Sequence, residues 1–446
     1  SIAILMIVIV SALGITEQAS ALEKKRDFHI SKVTIPDTGS YEGQGAGFDA
    51  SSAGNVIVRT NIAENKIKSI EVLVHRELNG DQQLLNFEKT AKLIIDKVLN
   101  TQNPNISEEE VKDIIKDLIK DMQPIPKNQC IQDGKGIAQA VSNSLTASPD
   151  GEKQVYFNPY NGKDSDKGKD AAHGVKTFDA AKKLLPDGGK IVLVTKWKVK
   201  KGEKVSLKSE KDAPLILERQ PGMIKNMIEV QGEMLIENFV VDGHKETKNK
   251  GQLISVAPFE NSKGVLTLGK GAILQNNVAT EPGAGIYASQ DSTVKIDGGV
   301  IKNNVTYARG GGICTESTVE LINGEITENK ALKGDGNDSG SGGGVVNIGS
   351  FGKGLIMKGG KIHKNHAQYR GGGIAGSYQI FKMEGGSIVN NTSDEGSGGI
   401  SDKGHYWNKT LVLKGGSIEN NRGKAPGIDL KDENTVLLKG NITVKD

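Results

Sequence analysis

A chain of 446 residues is long enough for two or three domains, and 25% charged with 36% apolar residues describes a water-soluble protein. Its formal charge of +3 is nearly neutral for that length, and no basic patch interleaves with aromatics, which excludes a nucleic-acid-binding surface. Cys130 and Cys314 are the only cysteines and lie far apart, which excludes a disulfide framework and leaves packing to stabilise the chain.

The chain opens on an apolar run, Ile2 to Val10, too short to span a bilayer comfortably. Small residues follow and end in Ala19, Ser20 and Ala21, a pattern like a signal-peptidase site. Residues 1–21 therefore read as a secretory signal, with a membrane anchor or a core helix as the alternatives. The basic leader such signals carry is missing, so a few residues are expected before Ser1, and the mature chain is expected to have no membrane span. Export with so few cysteines points to the surface of a Gram-positive cell.

Residues 38–148 read as a small α+β domain. Gly39 to Phe48 is a glycine-studded hairpin candidate, and two strands flank a turn at Glu64 and Asn65. Leu84, Phe87, Ala91, Ile94, Ile95 and Val98 follow helical spacing. Ser107 and Glu110 form a capping box before a second helix, and a third helix is expected from about Gly136 to Leu145.

Tyr41, Gly43, Gly45 and Gly47, the strand Lys66 to Ile70, and then His75 and Glu77 resemble the FMN-binding domain family. That family's closing motif carries a threonine that can hold the flavin through a phosphoester, and Ile131 stands at that position here. Ile131 has no hydroxyl, so covalent attachment there is chemically impossible. The resemblance implies FMN held non-covalently, with Tyr41, His75, Glu77, Gly134 and Gly136 as the binding residues. A helix beginning near Asp133 to Gly136 would offer backbone N–H groups to a phosphate, although Asp133 would repel it. Cys130 has no assisting base nearby and reads as a buried structural thiol.

Residues 149–176 are polar and turn-rich and read as a linker leading into the next domain, with a strand at Gln154 to Phe157. A short amphipathic helix, Thr177 to Leu185, is placed to cover the open edge of that domain. From there to Asp446 the chain repeats. Apolar triplets such as Val319 to Leu321 recur, then an isoleucine with an asparagine three residues on: Ile273/Asn276, Ile301/Asn304, Ile326/Asn329, Ile362/Asn365, Ile388/Asn391 and Ile418/Asn421. A glycine before a β-branched residue completes each repeat, as at Gly312–Ile313, and the period is roughly 25 to 32 residues.

One such repeat cannot bury its apolar face alone, but a stack can. Three short strands per repeat are too few for a propeller blade, so residues 177–446 are expected to form a right-handed parallel β-helix of roughly ten coils, about 50 Å long, with the asparagines in a side-chain ladder. This part resembles the pectin-lyase-like surface proteins, a likeness that speaks for fold and not for chemistry. No capping element closes the final repeat at Gly440 to Thr443, so further chain is expected.

Enzymes on such a fold need a base with calcium-holding carboxylates, or paired carboxylates. Asp242, Gly243 and His244 have no second pair and read as a turn, while His363 and His366 are too isolated for a metal. The acidic loop from Gly334 to Asp338 lacks a regular calcium spacing, and Arg309 and Arg370, each before a triple-glycine corner, suit structural contacts or a sugar equally. The expectation is a secreted, monomeric, surface-displayed adhesin-like rod for a host or cell-envelope glycan or protein. An extracytoplasmic electron-transfer flavoprotein and a polysaccharide lyase or hydrolase stand as alternatives.

Overall fold

The computed structural model describes residues 39–45, 56–74, 81–120, 124–145, 154–209, 215–244, 251–257, 263–335, 339–349, 353–376, 381–402, 410–425, 427–430 and 435–445. The signal segment, Gly47, His75 and Glu77 lie outside them.

The first unit pairs strands β1 (Gly39–Gly45), β2 (Val56–Ala63) and β3 (Lys66–Val74) antiparallel in that order. Glu64 and Asn65, at φ of 53° and 55°, make the two-residue turn whose twist matches that of the strands it joins. Helix α1 (Asp81–Thr101) ends at Gln102, whose side chain accepts from the Ile67 N–H at 2.7 Å and donates to the Ile67 carbonyl at 3.1 Å. One amide thus satisfies the edge of β3 as a neighbouring strand would. The capping box at the start of α2 (Glu108–Ile114) forms, with Ser107 Oγ accepting from the Glu110 N–H. After α3 (Lys116–Ile119) comes α4 (Pro124–Ser144), which packs Ile137 and Val141 against Val58, Ile94 and Val111.

The third helix therefore starts at Pro124, not near Gly136. Gly134 and Gly136 lie in its interior, where a side chain at Gly134 would meet Val111 Cγ1 at 2.8 Å. Close approach of α2 requires the missing Cβ, a demand that a count of helix propensities takes for a helix start.

The described part of the 149–176 segment is built into the solenoid rather than hanging free. Strand β4 (Gln154–Phe157) pairs parallel with β5 (Gly189–Leu193), and α5 (Phe178–Lys183), capped by Thr177, lies over the first coil. Phe157, Phe178, Trp197 and Phe239 close that end, with ring centroids 5.1 to 5.7 Å apart along the chain Phe157–Trp197–Phe178–Phe239. The first unit leans on the same coil. Ile57 and Leu73 pack on Tyr156, Ala171, Val192 and Val194, and Arg59 reaches the buried Asp170 at 3.1 Å.

The solenoid is right-handed and makes about 8 turns over residues 189–445, fewer than the ten expected. The segments Lys204–Lys208 and Leu215–Arg219 are two sides of one coil. A nine-stranded sheet stacks like on like: Ile254, Ile286, Ile313, Val345, Ile374, Ile400 and Ile428 occupy one register, and all but Ile428 are buried. Two further faces form an 18-stranded sheet, and a five-stranded sheet closes the section.

The ladder of buried amides is present, with one rung corrected. Its members are Asn277, Asn304, Asn329, Asn365, Asn391 and Asn421. Asn276 is not one: Leu274, not Ile273, sits in register with Ile301, and Asn276 instead takes the left-handed bend at φ 59°. Each Oδ1 accepts the backbone N–H of the asparagine one coil earlier, and from Asn329 onward its Nδ2–H as well, at 2.9 to 3.1 Å. From Asn304 onward each Nδ2 also donates to a carbonyl of the preceding coil, as Asn329 does to Ile301. Below the first rung lies Arg219, fully buried. Its guanidinium donates to Asn277 Oδ1 at 3.2 Å and to the carbonyls of Met223, Lys225, Gly251 and Gln252. Loss of hydration lowers its pKa to about 9, so it remains cationic at neutral pH.

Replacing Asn329 by Leu leaves the Asn304 donors, the Ile301 carbonyl and Asn365 without their partner. The variant is expected to lose about 3 kcal/mol in denaturant unfolding, against little change for the exposed Asn323→Leu. Asp170 gives a pH signature. Burial alone would raise its pKa, but hydrogen bonds from His173 and Arg59 hold it below the usual carboxylate value. A depressed carboxylate stabilises the fold above its unfolded pKa and loses that contribution as pH falls through the folded one. The stability gap between the wild type and Asp170→Asn is therefore expected to be constant from about pH 7 to 5 and to close below about pH 4 in pH-resolved thermal melts.

Candidate ligand cleft

The coil between Ile313 and Val345 is longer than its neighbours, and the surplus falls in one place. Ala331 stacks on Thr306 and Leu332 donates to the Thr306 carbonyl, yet the next backbone hydrogen bond to that coil comes from Gly340, whose N–H donates to the Ala308 carbonyl. Of the residues between them, Lys333, Gly334, Asp335 and Ser339 are described, and none makes a backbone hydrogen bond to that coil. Ser339 is tied back to Gly334: its Oγ donates to the Gly334 carbonyl at 3.0 Å and accepts the Gly334 N–H at 3.1 Å.

Beside these residues is a cleft of about 350 Å³ shared by three successive coils. Thr280 and Pro282 come from the first, Tyr307, Ala308 and Arg309 from the second, and Gly334, Asp335 and Ser339 from the third. Thr306 fixes the middle wall: its Oγ1 donates to the Glu281 carbonyl at 2.7 Å and accepts the Ala308 N–H at 3.0 Å. This holds Tyr307 outward, 38% exposed, while Gly310, at φ 72°, turns the chain back into the corner.

Arg309 and Arg370 occupy equivalent places before triple-glycine corners, but only one is occupied by its own fold. Arg370 lies over the ring of Tyr369 at 5.0 Å. The side chain of Arg309, a half-buried residue, makes no hydrogen bond, ion pair or ring contact among the described residues. A flat aromatic, a free guanidinium, a carboxylate and hydroxyls around one cleft form the composition of a binding site rather than of a packed corner.

The positions singled out from sequence fare differently. Tyr41 is buried with Ile62 and Leu145 at the far end of α4, about 16 Å along the helix from Gly134. The N–H groups of Gly134 and Gly136 belong to helical turns, so no helix start faces outward there. Asp242 accepts from the His244 N–H and from the side chains of Gln275 and Asn276, as a turn residue does. His363 pairs with Glu325 at 3.1 Å, and His366 bonds Thr392 at 3.0 Å. Among the described residues no three His, Cys, Asp or Glu side chains converge as a metal ion requires. No helix among them is long and apolar enough to cross a membrane.

Sequence reading weighed Arg309 and the Gly334–Asp338 loop separately and did not bring them together. The available signal was the spacing of Ile313 and Val345, longer than in the two adjacent coils but shared by Ile254 and Ile286, so it does not by itself locate the cleft. Compared with protein families, with curated proteins and with solved structures, the chain has no match in any of the three.

Cys130 and Cys314 are both buried, and burial pushes both thiols up from their usual pKa. Both are expected to resist an alkylating reagent at pH 8 and to react fully in guanidinium, counted by intact mass.

Proposed function

We propose that the chain is a secreted scaffold protein whose β-solenoid displays a saccharide-binding cleft at the cell surface. The observation that carries this reading is the cleft that Gly334, Asp335 and Ser339 wall against Tyr307 and Arg309, with Thr280 and Pro282 of the coil before. A solenoid suits the task. Its backbone is held by the coils above and below, so residues can be added at a corner without disturbing the stack. The exposed ring of Tyr307 and the ring of Pro282 offer apolar faces to the C–H side of a sugar, and Thr280 and Ser339 bring hydroxyls.

The alternatives lack such support. For FMN, Gly134 is spent on helix packing, Gly136 lies within the same helix, and Tyr41 lies at the opposite end of α4. For polysaccharide cleavage, Asp335 is the one carboxylate lining the cleft among the described residues, and no second acid of theirs faces it there.

On a glycan array the full chain is expected to retain a subset of saccharides, and Tyr307→Ala to weaken that binding roughly tenfold in calorimetry without changing the melting temperature. A Tyr369→Ala variant, outside the cleft, should bind as the wild type does.

A further inference from the structure

The unpaired guanidinium specifies more than a generic sugar. This step rests on the saccharide reading and narrows it. Among the described residues the side chain of Arg309 has no partner, yet the residue is half-buried and its field reaches Tyr287 and Cys314 on the strands behind the cleft. The acidic residue on that side, Glu316, takes the Tyr287 hydroxyl and forms no ion pair with Arg309. None of its nitrogens is buried without a partner, so the guanidinium faces the water of the cleft, and the adjacent coil, where Ser341 stands at the equivalent position, shows that the corner itself needs no arginine. Arg370 shows a third solution, stacking on Tyr369.

We propose that Arg309 anchors the carboxylate of an acidic sugar: a hexose-sized ring bearing one negative charge, seated with its apolar side on Tyr307 and Pro282. A planar carboxylate matches the forked donors of a guanidinium. The volume of about 350 Å³ suits a mono- or disaccharide and is at the small end of ligand sites. Asp335, exposed at the rim, accepts from ring hydroxyls and disfavours ligands with a second charge, such as a phosphate monoester. Charge selection then resides in Arg309 and ring selection in Tyr307.

The test uses the full chain and three immobilised sets: oligosaccharides ending in glucuronate, galacturonate or N-acetylneuraminate; the same compounds with the carboxylate reduced to the alcohol; and neutral oligosaccharides. Acidic peptides form a fourth set. Binding is expected to the acidic saccharides, to fall roughly 10- to 100-fold on reduction or in Arg309→Met, and to weaken as salt rises. Arg370→Met, which alters the equivalent corner, is expected to bind normally, and unchanged melting curves show that both variants are folded. Equal binding of neutral or reduced sugars, with no effect of Arg309→Met, overturns the charge assignment and leaves the saccharide reading standing. Binding of acidic peptides alone overturns both, as does retention of no member of any set.

Discussion

The hydrogen bond that an asparagine makes to the asparagine one coil away governs this molecule. It needs the two side chains at the same place in successive turns, and so it fixes register, coil spacing and bend together. The triple-glycine corners depend on it. At Gly312 an added Cβ would sit 2.6 Å from the Gly344 carbonyl and 3.1 Å from Asn329 Nδ2. With the amides holding the coils at strand spacing, nothing larger than hydrogen fits beside them. The buried isoleucine column is the apolar counterpart, close-packed because its members arrive already aligned.

Much of this architecture was readable because a repeat multiplies weak signals. One Ile-x-x-Asn is noise; six in a row at a steady distance are a face. The misreading at Asn276 shows the limit. Ile273, Leu274, Asn276 and Asn277 satisfy the same rule in two registers, and only the pairing of Leu274 with Ile301 separates them. The first unit offers no repetition to average over. Its turn at Glu64 and its capping box were legible because each is a local device. The start of α4 was not, because the reason for Gly134 lies on another helix.

The cleft was least legible of all, for a related reason. Its residues come from three coils, and their chemistry is ordinary when each coil is taken alone. Arg309 and Arg370 precede the same triple-glycine corner, and what separates them is Tyr369 stacked beside one and an open cleft beside the other. A solenoid confines such differences to its corners, since any departure within a strand would break both neighbouring coils. Function on this scaffold is therefore found where the period is interrupted.

Arg219 carries a consequence for how the chain finds its own alignment. The amide column is polar, with every Oδ1 turned toward the first coils, and the cation lies at that oxygen end much as a lysine favours the carbonyl end of a helix. Coils that resemble one another can dock one place out of step at little local cost. Among the described residues of the solenoid, Arg219 is the fully buried cation that an asparagine oxygen can meet, and Asn277 is the residue that meets it. Arg219 thus serves as the zero mark of a ruler, the point from which every later turn is counted.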